Sequence, residues 1–179
     1  MIYQAQYESP LGMLTITCDG ESLNELRFSD APIGETNTNC TNKHELKTTV
    51  STIPILEETR RWLDCYFNGE EPDFAPQLAP SGTLFQQRVW DELLSIPYGQ
   101  TMSYGDIARR INCKSAQAVG GAVGANPIAI IIPCHRVIGS DGSLTGYAYG
   151  LERKRQLLRF EKGKRKTENI RSARRRALP

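Results

Sequence analysis

The chain has 179 residues, 39% of them hydrophobic, and a formal net charge of +2 at neutral pH. This composition is that of an ordinary globular protein, long enough to build a core without metals or disulfides. The longest strictly apolar run, residues 128–132, is far shorter than the roughly 20 residues of a membrane helix. The N-terminus also lacks the basic and apolar segments of a signal peptide. We therefore expect a cytoplasmic protein that does not associate with membranes.

The five cysteines are odd in number and irregularly spaced, which argues for reduced thiols and against a disulfide-bonded secreted domain. Cys18, Cys40 and His44 are the residues from which a zinc site could be imagined. However, the chain has two histidines and no close cysteine pair, whereas structural zinc requires four ligands at workable spacings. We therefore predict that the protein holds no metal.

The first part of the chain is predicted to form an N-terminal α/β domain. Apolar and polar residues alternate over residues 2–28, with glycines at the turns, which is typical of a small antiparallel sheet of hairpins. Residues 29–51 are polar and have no period, and we interpret them as a long loop. Apolar pairs that recur from Ile55 predict an amphipathic helix that ends near Gly69.

The second part is predicted to be a mostly helical domain with a helix-turn-helix. A connector with three prolines places the boundary near Ser81, so that the two domains are residues 1–80 and 81–163. After a first helix, Ser103 and Asp106 form a capping-box-like pair that starts a second one. A tight turn then leads to a third helix, for which Ser115 is the candidate N-cap.

The third predicted helix contains three glycines, Gly120, Gly121 and Gly124, each of which costs about 1 kcal/mol relative to alanine. A helix that accepts this cost has something close to its backbone. The partner is either another helix or a nucleic-acid groove, and the residues alone do not decide between them.

A strand over residues 128–132 and a final amphipathic helix, with Leu151 and Leu158 on its inner face, are predicted to complete the domain. Residues 164–179 form a basic tail: from Lys162 onward the chain has eight Lys and Arg residues and one acidic residue. Such a tail can bind phosphates nonspecifically. It can equally be a disordered solubilising segment, and the sequence leaves both interpretations open.

Cys134 and His135 stand side by side after the apolar run. A cysteine in this position is more often an inert buried residue than a nucleophile, but His135 and Arg136 both favour the thiolate. In an extended strand, however, successive side chains point to opposite faces, so His135 reaches the thiol only through a bend or a bridging group. A thiol hydrolase would bring its base from elsewhere in the chain, and the one other histidine is His44.

Three segments of the sequence resemble the O6-alkylguanine-DNA alkyltransferase family. They are ESPLGMLTI, GTLFQQRVWDELLSIPYGQTMSYGDIA and AVGGAVGANPIAIIIPCHRVIGSDGSLTGYAYGLERKRQLLRFE. The likeness covers residues 2–163, and Pro-Cys-His-Arg-Val followed by Leu-Thr-Gly-Tyr is its most specific part. It implies a ribonuclease H-like N-terminal domain, a winged-helix-like second domain and single-turnover repair of O6-alkylguanine in DNA, with activity on O4-alkylthymine left open.

The resemblance also implies the roles of the reacting residues. Cys134 would accept the alkyl group as a thioether, so that each molecule acts once, after His135 has deprotonated it through a water. Glu161 would orient that histidine, and Asn126 would tie the turn between the glycine-rich helix and the strand. Tyr104 would protonate the departing guanine and help to rotate the nucleotide out of the duplex.

Contacts with substrate and DNA are implied as well. Tyr147, Ala148 and Tyr149 would line the pocket for the flipped base, and the backbone of Val137 would help to read the base edge. The glycine-rich helix would enter the minor groove of double-stranded DNA. The residues expected to contact DNA are Ser115, Ala116, Gln117, Gly120, Gly121, Gly124 and Arg136. No cofactor is implied, and we expect a monomer located with the DNA, in a nucleoid or in the nucleus of a eukaryote.

The sequence departs from the family at two positions. Gln117 stands where members usually have an arginine that fills the gap left by the flipped base, so we expect weaker DNA affinity. Tyr149 stands where many members have a glycine, and its ring is expected to narrow the pocket and favour methyl over bulky groups such as benzyl.

Two other functions compete with a transferase. A sensor that binds the lesion without turnover is consistent with the helix-turn-helix, the basic tail and Gln117, although the related alkyltransferase-like proteins carry another residue where Cys134 stands. A thiol hydrolase rests only on Cys134 and His135.

Overall fold

The computed structural model describes residues 1–29 and 53–176, and of residues 164–176 it describes the backbone alone. The N-terminal part is an antiparallel sheet of three strands, β1 (Tyr3–Ser9), β2 (Gly12–Cys18) and β3 (Leu23–Phe28), in that order. Gly12 has a φ of 120°, which lets the chain reverse between the first two strands. The predicted sheet of hairpins is confirmed, while the predicted loop lies, apart from Ser29, outside the described residues.

Helix α1 (Pro54–Phe67) covers one face of this sheet. Its buried side recurs with helical spacing and includes Trp62, Leu63 and Tyr66, as expected for an amphipathic helix. The helix predicted from the apolar pairs is therefore confirmed, including its end at Asn68.

The outer edge of β3 joins the N-terminal part to the rest of the molecule. Leu23 exchanges backbone hydrogen bonds with Gln77 and Ala79. Further along the strand, the Leu26 N–H donates to the carbonyl of Pro127 at 3.0 Å, and the Ala129 N–H donates to the Leu26 carbonyl at 2.9 Å. Covering this edge satisfies its backbone groups and fixes the segment that leads to Cys134.

The remaining elements are short and mostly helical. They are α2 (Leu84–Leu94), β4 (Met102–Ser103), α3 (Tyr104–Arg110), α4 (Ala116–Gly124), a 3-10 helix (Cys134–Arg136), β5 (Val137–Ile138) and α5 (Leu151–Arg176). Strands β4 and β5 pair in parallel. Ser103 and Asp106 form a complete capping box, and Ser115 caps α4, so α3 and α4 form the predicted helix-turn-helix. Among the described helices, none is both long and apolar enough to cross a membrane.

The prediction of a strand over residues 128–132 is wrong. Ile128 alone makes a β-bridge, and the next residues form a turn in which Ile130 has a φ of 71°. A β-branched residue in this conformation costs about 1–3 kcal/mol. The Asn126 side chain supplies the compensating bonds, because it contacts the backbone of both Ile128 and Ile132.

The inner face of α5 also differs from the prediction. Leu158 is buried as expected, but Leu151, the first residue of the helix, is 43% exposed. Lys154, Leu157 and Glu161 are the other buried residues of this face. The helix continues into the predicted basic tail, of which the side chains from residue 164 onward lie outside the described residues.

Candidate active site around Cys134

Cys134 opens the 3-10 helix and lines a cavity of about 110 Å³. Its side chain is 6% exposed, and the cavity reaches the surface beside α4. The other lining residues are Tyr104, Gly120, Val123, Gly124, Asn126, Gly146, Tyr147, Ala148 and Tyr149. A larger cleft of about 600 Å³ between α1 and α5 includes none of the predicted site residues.

Asn126 holds both the turn and the thiol. Its Nδ2 donates to the Ile132 carbonyl at 2.8 Å and to Sγ of Cys134 at 3.1 Å. Burial raises the pKa of the Cys134 thiol above its ordinary value, and the hydrogen bond from Asn126 and the charge of Lys154 offset part of this rise. The Cys134 thiol is therefore shielded from water, while Asn126 and Lys154 favour its thiolate form.

His135 and Glu161 form a fully buried pair behind the thiol. The His135 Nε2 lies 2.7 Å from the Glu161 Oε1. Burial alone would raise the pKa of Glu161, but the hydrogen bonds and charges of His135 and Arg136 outweigh it and lower the pKa to about 2. Since a carboxylate only accepts, Nε2 must carry the hydrogen and donate it. This leaves Nδ1 as a base, and Nδ1 is buried with no partner among the described residues.

The geometry between Cys134 and His135 differs from the one that the predicted strand implied. Both residues lie in a 3-10 helix, in which successive side chains point about 120° apart. Within the described residues, the thiol and the imidazole share no hydrogen bond, because the thiol contacts Asn126 and Nε2 faces Glu161. A bridging group is thus still required, for a different geometric reason.

The surroundings of Arg136 do not favour its expected contact with DNA. It was expected to contact DNA, but it is buried, and its guanidinium donates to both oxygens of Glu161 and to the Ile96 carbonyl at 2.6 Å. Each of its three nitrogens has a partner inside the protein, and its charge is paired with Glu161.

Two buried residues of the site were missed by the sequence reasoning. Lys154 donates from Nζ to the carbonyls of Thr145 at 2.6 Å and Gly146 at 3.0 Å, and burial lowers its pKa to about 8. Its position one turn before Leu158 on α5 is the signal that could have revealed it. Tyr66 on α1 reaches Glu161 across 95 residues of sequence, and no local pattern announces such a contact.

The aromatic residues expected to bind substrate form one wall of the cavity. The Tyr104 hydroxyl donates to the Thr145 carbonyl at 3.2 Å, and burial raises its pKa, so it stays protonated. The Tyr149 ring packs edge-on against Phe28 of β3, with centroids 5.2 Å apart, and against Tyr147 at 5.5 Å. Ala148 is exposed at the rim.

Val137 was expected near the base through its backbone. Its side chain is fully buried and is not part of the cavity wall. Its N–H bonds the Cys134 carbonyl, so a base could be read only by the Val137 carbonyl.

One face of α4 carries the remaining residues expected to contact DNA. Gly120 is partly buried, and the others are exposed: Ser115, Ala116, Gln117, Gly121 and Gly124. A Cβ added at Gly121 or Gly124 would meet nothing within 4 Å, and one at Gly120 would lie 3.8 Å from the Tyr104 ring. No helix of the described residues therefore presses on the two exposed glycines, which removes helix packing as the reason for them.

Two family models match the chain. Residues 2–80 match the ribonuclease-like domain of 6-O-methylguanine DNA methyltransferase, and residues 84–163 match the DNA-binding domain of the same family. The first match confirms the fold class predicted for the N-terminal part. Cys40 and His44, the residues considered for zinc, lie outside the described residues.

Curated relatives and solved structures agree with these matches. The methylated-DNA–protein-cysteine methyltransferase of Haemophilus influenzae is 45% identical over 163 residues, covering 90% of this chain and 87% of the relative. That of Methanosarcina acetivorans is 44% identical over 162 residues, covering 89% and 98%. The crystal structure of Mycobacterium tuberculosis OGT in complex with DNA matches with a TM-score of 0.75 and 44% identity, over 90% of this chain and 93% of that one. The chain therefore belongs to the 6-O-methylguanine DNA methyltransferase family.

Proposed function

We propose that the protein is a methylated-DNA–protein-cysteine S-methyltransferase that repairs O6-alkylguanine in DNA once per molecule. The observation that carries this proposal is the position of the Cys134 thiol. It is buried in a cavity that opens beside the exposed face of α4, with a paired imidazole and carboxylate behind it. A lesion that leaves the duplex at α4 would enter this cavity.

The reaction is a displacement at the alkyl carbon. A water that bridges Nδ1 of His135 to the thiol would carry the proton from Sγ to the imidazole, whose positive charge Glu161 stabilises. The thiolate attacks the alkyl carbon, the S–C bond forms and the C–O6 bond breaks. The departing guanine takes up a proton, for which the Tyr104 hydroxyl in the cavity wall is the candidate donor. The thioether is the end state, so no further step regenerates the thiol.

Binding of double-stranded DNA is proposed to occur through α4 in the minor groove, with the damaged nucleotide flipped out. The absence of side chains on Gly121 and Gly124 permits a close approach of the DNA backbone. A buried thiol cannot otherwise reach a stacked base, which makes flipping a requirement of the chemistry. The protein acts as a monomer in the compartment that holds the DNA and requires no cofactor.

The substrate is proposed to be chiefly the methyl adduct. The cavity of about 110 Å³ is small, and the Tyr149 ring is held in its wall by Phe28. Methyl groups fit such a space, whereas a benzyl group requires the ring to move.

The chain is proposed to consist of domains 1–80 and 81–163 and of a basic tail, residues 164–179. If the tail contacts phosphates, deletion after Gly163 will reduce the salt dependence of DNA binding. A salt dependence unchanged by the deletion would assign the tail no phosphate contacts.

The decisive experiment is incubation of the protein with a duplex that contains O6-methylguanine, followed by mass spectrometry of the peptide with Cys134. We expect one methyl group per molecule on Cys134 and none in Cys134→Ala. Binding of the duplex without methyl gain would identify a lesion sensor instead. Repeated turnover of an ester or peptide would identify a hydrolase.

A further inference from the structure

Tyr66 brings a side chain of the N-terminal sheet region into the centre of the site. It lies on α1, and its ring is completely buried. The ring stacks on Trp62 with centroids 5.4 Å apart and meets Tyr98 and His135 edge-on at 6.0 and 6.5 Å. Because these rings surround the Tyr66 ring on several sides, the packing fixes its orientation and therefore the direction of its hydroxyl.

The Tyr66 hydroxyl donates to the Glu161 Oε1 at 2.9 Å. This is the same oxygen that accepts from His135, and the hydroxyl lies 3.4 Å from the His135 Nε2. Burial and the charge of Glu161 raise the pKa of Tyr66 well above its usual range, so the hydroxyl remains a donor at any working pH.

Both oxygens of the Glu161 carboxylate accept further hydrogen bonds. Its Oε2 accepts from the Gly99 N–H and from Nε of Arg136, each at 3.0 Å. The Oε1 accepts from the Tyr66 hydroxyl and from His135, and it has longer contacts of 3.1 and 3.3 Å with the guanidinium of Arg136. Without the hydroxyl, Oε1 loses its one donor that is neither the imidazole nor a guanidinium.

We propose that Tyr66 is a positioning residue for alkyl transfer, whose hydroxyl fixes the Glu161 carboxylate so that His135 directs Nδ1 toward the thiol. The proposal rests on the proposed function of Cys134. It gives the N-terminal region a part in the chemistry, because α1 supplies a hydrogen bond to the pair that activates the thiol. Groups that act through a second partner in this way typically change rates by about 10-fold or more when removed.

Tyr98 offers a matched control within the same aromatic cluster. Its hydroxyl is buried but has no hydrogen-bond partner among the described residues, and its ring lies 5.5 Å from the guanidinium of Arg136. Both Tyr66→Phe and Tyr98→Phe therefore delete one buried hydroxyl and keep the ring, but only the first removes a hydrogen bond to Glu161.

The test is single-turnover methyl transfer from a duplex with O6-methylguanine at saturating DNA, using the full chain, with the Kd for the same duplex measured separately. We expect Tyr66→Phe to lower the first-order rate constant about 10-fold, with an unchanged Kd and one methyl group still transferred per molecule. Tyr98→Phe should stay within about two-fold of the wild type. Partial unfolding would lower the amplitude of transfer and not its rate constant, so a loss of folded protein is recognisable.

The proposal is overturned if the rate constant of Tyr66→Phe stays within two-fold of the wild type, or if Tyr98→Phe slows transfer equally. A wild-type protein that transfers no methyl group would instead refute the proposed function, independently of either variant.

Discussion

Lys154 carries the positive charge that lowers the pKa of the Cys134 thiol. Its ammonium is buried, donates to two loop carbonyls and lowers the pKa of Cys134, which burial has raised. Arg136 does not serve this purpose, because its charge is paired with Glu161. A cation next to a buried thiol favours the thiolate, which is the form that attacks carbon.

Lys154→Met should therefore slow the alkylation of Cys134 about 10-fold below pH 8, where the charged Lys154 ammonium favours the thiolate. The measurement is the rate of carbamidomethylation by iodoacetamide as a function of pH, followed on the Cys134 peptide. Because the pKa of Lys154 is about 8, its charge is present below pH 8 and lost above it. The difference between variant and wild type should consequently be largest below pH 8 and shrink above it.

Arg155→Met is the control for this prediction. Arg155 lies next to Lys154 on the same helix, but it is exposed and forms an ion pair with Glu152. Its removal deletes the same charge without changing the cavity, so the alkylation rate below pH 8 should stay that of the wild type. An equal loss of alkylation rate in both variants would refute a specific effect of Lys154.

Tyr149→Gly should widen the cavity and change the choice of alkyl group. We expect the rate of benzyl transfer to rise at least about 10-fold relative to methyl transfer, because the variant lacks the aromatic ring that forms part of the cavity wall. Competition between O6-methylguanine and O6-benzylguanine duplexes measures this ratio. Tyr149→Phe keeps the ring and its contact with Phe28, so its ratio should equal that of the wild type; a raised ratio there, or no change in Tyr149→Gly, contradicts the prediction.

At the scale of elements, the exposed glycines of α4 weaken the helix, and no packing contact among the described residues requires a glycine there. Gly121 lies inside the helix, and a Cβ there would meet nothing. Gly121→Ala should stabilise the free protein by about 0.5–1 kcal/mol, measured by urea unfolding. The added methyl group lies on the face proposed to enter the groove, so the same variant should bind DNA several-fold more weakly.

Gly163→Ala provides the comparison. Gly163 lies within α5, also with open space around an added Cβ, and it is far along the chain from the helix-turn-helix. A similar gain in stability with an unchanged Kd is expected. If Gly121→Ala leaves DNA binding unchanged, α4 does not approach the groove through this position.

The elements that the sequence predicted correctly are those with local signals. The capping box at Ser103 and the apolar spacing of α1 are set by neighbours within one turn of helix. Residues 128–132 have the composition of a strand, but a side chain outside the run, Asn126, provides the hydrogen bonds that favour a turn. Five residues found by resemblance line one cavity, namely Tyr104, Asn126, Cys134, Tyr147 and Tyr149. The contact of Tyr66 with Glu161, in contrast, depends on packing between distant parts of the chain, which no local pattern encodes.

At the scale of the whole molecule, Glu161 connects several distant parts of the chain behind the Cys134 thiol. Its carboxylate lies on α5 and receives hydrogen bonds from α1, from the loop at Gly99 and from the 3-10 helix. Glu161, which contacts the His135 imidazole, is thus also one of the places where the sheet region and the helical region meet. A change at this position should affect the stability of the entire fold as well as the reaction.

Glu161→Gln should destabilise the protein by roughly 3–5 kcal/mol at neutral pH, because it leaves the buried Arg136 without its counter-charge. The folded pKa of Glu161, about 2, lies below its ordinary value of 4.5. The stabilisation by its charge is therefore fully present above pH 4.5 and is lost as the pH falls toward 2, where a protonated carboxyl resembles glutamine. Urea unfolding at several pH values should show a gap between wild type and variant that is constant above pH 5 and closes below it. Glu152→Gln, an exposed change on the same helix, should cost little at any pH, and a pH-independent gap for Glu161→Gln would mean that its charge does not hold the two regions together.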